Sequence, residues 1–158
     1  MLSRLYSQAF LALLVLLVCL LLPGLGSVSL IDWDENIYSE AAKQMLQTGN
    51  WLDVVLNGQP LGEKTPLFIW LQALSFWGLG ISEFSARLPS VVTAVVLLGF
   101  CYSYGRWLVS RNVGILWAVV FLTALLPSIH ARSAVMEHVF NAFIGMGAFL
   151  LFRYDWEQ

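Results

Sequence analysis

Five stretches of the chain contain no Asp, Glu, Lys or Arg: 5–31, 65–82, 88–105, 112–131 and 138–152. A helix that crosses a bilayer needs about 20 mostly apolar residues, and about 17 at the least. On that measure four spans are predicted, over 10–30, 88–108, 113–129 and 135–152. Pro89 stands as a helix-starting proline of the second span, and Pro127 lies near the exit of the third. Glu137, His138 and Asn141 occupy the first turns of the fourth. Arg153 closes it, and Tyr154 and Trp156 suit a membrane interface. A cleavable signal peptide is the alternative for the first stretch, with Arg4 as its basic flank and Gly24-Leu25-Gly26-Ser27 as a cleavage site. The return of apolar residues at Val28, Leu30 and Ile31 favours a span.

The stretch 65–82 is long enough to cross, yet Gln72, Ser75 and the aromatics Phe68, Trp70 and Trp77 suit a helix lying in the headgroup region. Topology favours the second reading. If 66–79 lies in the interface, Arg4, Arg106, Arg111 and Arg153 all fall on one side, which the positive-inside rule makes cytoplasmic. Residues 31–87 then form an outer loop. Within it Ile37, Tyr38, Ala41, Ala42, Met45 and Leu46 recur at helical spacing, with Glu40, Lys43, Gln44 and Gln47 on the other face, predicting a helix over 34–48. Gly49 is its expected left-handed cap. Residues 51–55 read as short and extended, and Asn57-Gly58 as a turn.

Composition agrees with an all-α integral membrane protein. Hydrophobic residues make up 59%, charged residues 11%, and the mean hydropathy is +0.75, whereas soluble domains carry about 25% charged residues. The net charge of −2 singles out no partner, and no basic cluster of the kind nucleic acid requires occurs, so no nucleic-acid partner is expected. Cys19 and Cys101 both sit in apolar stretches and read as core residues.

Candidate chemistry gathers in the outer loop, which carries Asp32, Asp34, Glu35, Glu40, Asp53, Glu63 and Glu83 against Lys43, Lys64 and Arg87. Carboxylates at a membrane rim are costly to keep near lipid and mark function by default. Asp34 and Tyr38 are one helical turn apart and share a face, while Glu35 points elsewhere. Asp34 suits a general base toward a hydroxyl or amine, its alternative role being a helix cap. Lys64 suits a point charge for a phosphate, with Arg87 and Arg132 as further candidates; Arg87 as an anchor for the second span is the plainer reading. His130 and Glu137 would share a face of a continuous helix, and with Asp34 or Glu35 could ligate a divalent metal such as zinc or manganese; interfacial polar residues without a ligand role are the commoner case. No Gly-rich phosphate loop and no serine elbow occur. On the outer face, away from nucleotide donors, a transferase would draw on an activated group carried in the membrane.

The run 34–45 resembles the first outer loop of bacterial C-type glycosyltransferases, relatives of the protein O-mannosyltransferases and of the transferase that adds aminoarabinose to lipid A. The likeness continues through Thr48-Gly49-Asn50-Trp51, Leu56-Asn57-Gly58-Gln59-Pro60, Glu63-Lys64-Thr65-Pro66-Leu67 and Phe84-Ser85-Ala86-Arg87-Leu88-Pro89, and more loosely to Ala131-Arg132 ahead of Glu137. It implies transfer of a sugar from a polyprenyl-phosphate donor to a lipid, glycan or protein acceptor on the outer face of the bacterial inner membrane. The resemblance makes Asp34 the base or acceptor-orienting carboxylate, supported by Glu35. Lys64 would hold the carrier phosphate, Tyr38 would line that pocket, and Arg132 and Glu137 would join the substrate site. Two positions depart from the pattern. Ile37 stands where the aminoarabinose branch often has arginine, and Glu137 where aspartate is usual.

Members of that family have a dozen or so spans. At 158 residues this chain resembles their N-terminal portion, a truncated reading frame, or a subunit whose remainder is another chain. Alone it is expected to be inactive. The competing reading is a membrane scaffold or accessory subunit without catalysis. A transporter fragment is disfavoured because the spans hold almost no charge.

Overall fold

A computed structural model describes residues 2–30, 33–62 and 64–157. Ile31, Asp32 and Glu63, three residues of the outer loop, lie outside the described residues. Seven helices and one small hairpin make up the rest: α1 Leu2–Leu21, α2 Asp34–Thr48, the hairpin of β1 Val55–Leu56 with β2 Gln59–Pro60, α3 Pro66–Leu79, α4 Glu83–Leu108, α5 Arg111–Thr123, α6 Leu125–Ala131 and α7 Met136–Trp156. The fold is all-α, as the apolar periodicity predicts.

Helix α4 organises the bundle. Its first turns join α2, α3 and the start of α7 in one cluster built on Tyr38, Met45, Phe68, Ile69, Phe76 and Val139. Its later turns join α1, α5 and α6 in a second cluster built on Leu17, Leu21, Leu98, Tyr102 and Leu122. At one end of the bundle, Arg132 reaches the carbonyls of Leu20 and Pro23, and Arg87 reaches that of Leu25. At the other end, the Tyr6 hydroxyl donates to Asn112 at 2.8 Å and the Trp107 indole to Glu157 at 3.1 Å. The four rods α1, α4, α5–α6 and α7 therefore alternate in direction. Helices α2 and α3 sit at the end where α1 finishes and α4 and α7 begin.

Several helix limits differ from the sequence expectation, each for a backbone reason. Helix α1 stops at Leu21 instead of running to 30, because Pro23 has no N–H to continue it and Gly24 takes φ +71°. Helix α4 starts at Glu83, capped by Ser82 and Ser85 bonding reciprocally. Pro89 is thus inside the helix and not at its start. The carbonyl of Ser85, which Pro89 cannot serve, accepts the Ser75 hydroxyl of α3 at 2.7 Å. Gln72 donates to the next carbonyl, of Ala86, at 3.0 Å. The third predicted span is two helices bent by 65° at Ala124. By length and composition α4 is the one described helix fit to cross a membrane, and the α5–α6 pair counts as a second if taken as one span.

Asn57 (φ +52°) and Gly58 (φ +78°) turn the hairpin with two positive φ angles, the requirement of a type I′ turn. Helix α2 ends as predicted, with Gly49 at φ +69° donating to the Met45 carbonyl. Its N-cap is Trp33 at φ +87°, whose own side chain makes no capping bond. Asp34 is therefore the first helical residue and not the cap.

Helices α4 and α5 pack backbone to backbone at Gly105 and Gly114. A Cβ on Gly114 would lie 2.5 Å from the Tyr102 carbonyl oxygen, whereas one on Gly147 of α7 would meet nothing within 4 Å. Gly114→Ala is expected to destabilise the fold by about 1–3 kcal/mol through overpacking. Gly147→Ala should leave stability unchanged or raise it by up to about 1 kcal/mol. Thermal unfolding in detergent checks this, and equal melting points would refute it.

Candidate functional site

The chemistry collects where α2, α3 and α7 begin. Asp34 opens α2 and Tyr38 follows one turn later on the same face. Lys64, in the loop entering α3, sits 3.4 Å from Asp34 Oδ1 and donates to the Tyr38 hydroxyl at 3.0 Å. Tyr38 is fully buried and stands edge-on to Phe68, with ring centroids 5.5 Å apart. Its ring can thus move little, and its hydroxyl becomes a fixed acceptor for the Lys64 ammonium. Asp34 and Lys64 remain partly open, with side-chain exposures of 40% and 25%. Thr65 bonds the sulfur of Met136 at 3.0 Å, which ties the lysine's loop to the first turn of α7. Glu137, exposed in that turn, is close enough for its charge to act on Tyr38.

These neighbours set the protonation states. Burial pushes the Tyr38 hydroxyl above its ordinary 10.0; the Lys64 ammonium pulls it back, and the charges of Glu137 and Asp34 push it further up. The bond to Tyr38 raises Lys64 above its ordinary 10.5, with burial opposing and Asp34 adding to the rise. Near neutral pH the site therefore holds a neutral phenol and a charged ammonium.

Glu35 is turned away from this group. It is 2% exposed and pairs with Arg87, itself 5% exposed, through Arg87 Nε at 3.2 Å and Nη2 at 2.9 Å. The remaining guanidinium N–H groups go to the carbonyls of Leu25, Val28 and Ser29, so all five donors are used. The backbone N–H of Ala134 donates to Glu35 Oε1. Arg132, expected in the substrate site, closes the C-terminal end of α1 through the Leu20 and Pro23 carbonyls at 3.1 and 2.9 Å.

The break at 132–135 separates His130 from Glu137, so the single continuous helix face that would have grouped them does not form. The His130 ring instead meets that of His138 edge-on at 6.5 Å. Among the described residues no group of three or more His, Cys, Asp or Glu is placed to hold a metal. The Arg87–Glu35 pair is the feature that sequence reasoning missed. Its signal was present: an arginine in the second turn of an apolar helix must find a partner if it is buried.

The model of the family described as dolichyl-phosphate-mannose-protein mannosyltransferase matches residues 6–158, and the chain belongs to that family. It is 35% identical over 124 residues to an uncharacterized protein of Aquifex aeolicus, covering 78% of this chain and 29% of the other. It is 36% identical over 115 residues to the undecaprenyl phosphate-alpha-4-amino-4-deoxy-L-arabinose arabinosyl transferase of Pectobacterium carotovorum, covering 72% of this chain and 20% of that enzyme. The crystal structure of ArnT from Cupriavidus metallidurans in the apo state shares the fold, with a TM-score of 0.80 over 90% of this chain and 26% of the other, at 19% identity. The chain thus spans between a fifth and a third of the length of these relatives.

The raised values of Tyr38 and Lys64 carry a pH signature. Each group binds its proton more tightly in the folded state than in the unfolded one, so stability is fully present below about pH 10 and falls as pH rises through the folded values. Melting points between pH 9 and 12 should decline above 10, and Tyr38→Phe, which removes both the titrating phenol and the bond that raises Lys64, should flatten that decline. An unchanged slope in the variant would count against the assigned Lys64–Tyr38 contact.

Proposed function

We propose that the chain forms part of a glycosyltransferase that moves a sugar from a polyprenyl-phosphate donor to a lipid, glycan or protein acceptor on the outer face of a bacterial inner membrane. The observation that carries this is the Asp34–Lys64–Tyr38 group at the mouth of an apolar bundle. Family membership and the activities of the named relatives support it. Lys64 takes the carrier phosphate and stabilises the phosphate that leaves. Tyr38 holds the ammonium in place. Asp34 accepts the proton of the acceptor hydroxyl or amine as that atom attacks the anomeric carbon. The new glycosidic bond forms as the bond from sugar to phosphate oxygen breaks, and polyprenyl phosphate departs with the electron pair. Attack from the face opposite the phosphate inverts the anomeric centre. Glu137, in the exposed first turn of α7 with its charge acting on Tyr38, orients substrate, while Arg132 supports the site from the end of α1.

The alternating rods favour four spans, α1, α4, α5–α6 and α7, with α2 and α3 lying against the outer surface. Arg106, Arg111 and Arg153 then share the inner end, in keeping with the positive-inside rule. The relatives are several times longer, so we expect this chain alone to lack turnover and to need further membrane helices to complete the carrier pocket.

In the enzyme assembled around this chain, Asp34→Asn should cut transfer from a polyprenyl-phosphate sugar by about 10²–10⁴-fold, the usual worth of a general base. Lys64→Ala should cost about 10- to 100-fold, equivalent to one charge-assisted hydrogen bond. Membrane insertion should be unchanged in both. Full activity in both variants would favour a scaffold without catalysis.

A further inference from the structure

The catalytic candidates each stand one residue from a structural contact. Asp34 adjoins Glu35, Lys64 adjoins Thr65, and Glu137 adjoins Met136, with Ala134 two residues earlier. The contacts of Glu35 converge on one buried point: Arg87 of α4, the 25–29 connector through Arg87, and the 132–135 turn through the Ala134 N–H. No other buried ion pair occurs among the described residues. A guanidinium with all five N–H groups engaged has one orientation, and a carboxylate held by it in two places has one as well.

We propose that Arg87 and Glu35 are the positioning pair of this site, setting Asp34 against Lys64 and fixing the turn that presents Glu137. Neither touches the reacting group. Helix α2 begins after Trp33 at positive φ. The buried Glu35 anchors its first turn to Arg87 from the second helical position and leaves Asp34 facing outward, toward the lysine. Through Ala134 the same carboxylate sets where α7 starts. Two acids, on α2 and α7, whose charges both act on Tyr38, thus take their places from one guanidinium on α4.

The catalytic consequence rests on the glycosyl-transfer reading, but the geometric claim can be tested without it. Lys64 faces Asp34 and Tyr38, and its reactivity reports their alignment. In the chain reconstituted in lipid nanodiscs, acylation of Lys64 by a water-soluble amine-reactive ester is followed against pH by mass spectrometry. Lys43, paired with Glu40 at 3.2 Å on another face of α2, serves as the internal reference. Glu35→Gln should lower the pH midpoint for Lys64 and speed its acylation at fixed pH by about 3- to 10-fold, one pKa unit being tenfold. Lys43 should not change. Because that variant strands the Arg87 charge, the neutral double variant Glu35→Gln/Arg87→Gln is measured beside it and should give the same shift.

A Lys64 profile unchanged in the double variant, while Asp34→Asn still shifts it, would overturn the proposal. In the assembled enzyme the double variant should lower kcat at least about tenfold with a smaller change in donor KM, the pattern of lost transition-state alignment. If the unaltered enzyme shows no transfer, the glycosyl-transfer reading fails, and the acylation profiles still decide the positioning role.

Discussion

A charged guanidinium buried where an apolar bundle meets its polar cover is the constraint around which this structure is arranged. Arg87 can remain there only because every N–H finds an acceptor and Glu35 neutralises it. Removing one partner of such a pair costs about 3–5 kcal/mol, since the other charge is left uncompensated. The connection after α1, the start of α2, the second turn of α4 and the turn before α7 must therefore meet at one point. Once they do, the ends of four helices are in register, and the polar groups facing outward are already gathered.

The same economy of polar groups governs the packing of α3 on α4. Pro89 leaves the Ser85 carbonyl without its helical partner, and Ser75 of α3 supplies one. Gln72, fully buried one turn earlier, reaches the Ala86 carbonyl beside it. These two side chains read in sequence as polar exceptions that would suit a headgroup-level helix. In the fold they face α4 and hold α3 against a helix whose ladder a proline has opened. Trp77, on the opposite face and 79% exposed, meets the surroundings together with Leu74 and Leu79.

Much of the architecture was legible in the chain. The periodicity from Asp34 to Gly49, the turn at Asn57-Gly58 and the helix beginning at Pro66 are local signals, and each element forms from contacts within about four residues. Helix ends in the apolar runs were less legible. Hydropathy does not distinguish 10–21 from 22–30, or show that 113–129 bends at Ala124; the deciding facts are a backbone N–H missing at Pro23 and the packing of α6 across α4. Residue type and family likeness point to Asp34, Tyr38 and Lys64, and the structure brings those three together around the Lys64 ammonium. The same signals point to Glu35 and Arg132, which the fold bonds instead to Arg87 and to the end of α1.

The difference between those two groups marks the division between sequence and structure. Composition and pattern determined an all-α, strongly apolar chain with a polar segment at its rim, because burial and helical periodicity are properties of local runs of residues. The roles of adjacent acids were decided only by tertiary structure. Asp34 and Glu35 are neighbours of the same chemical type, and a helix turns them about 100° apart. Which one meets a lysine in the open and which meets an arginine in the core depends on partners 30 and 52 residues away. No local rule carries that information, since it follows from how α4 and the loop before α3 are packed.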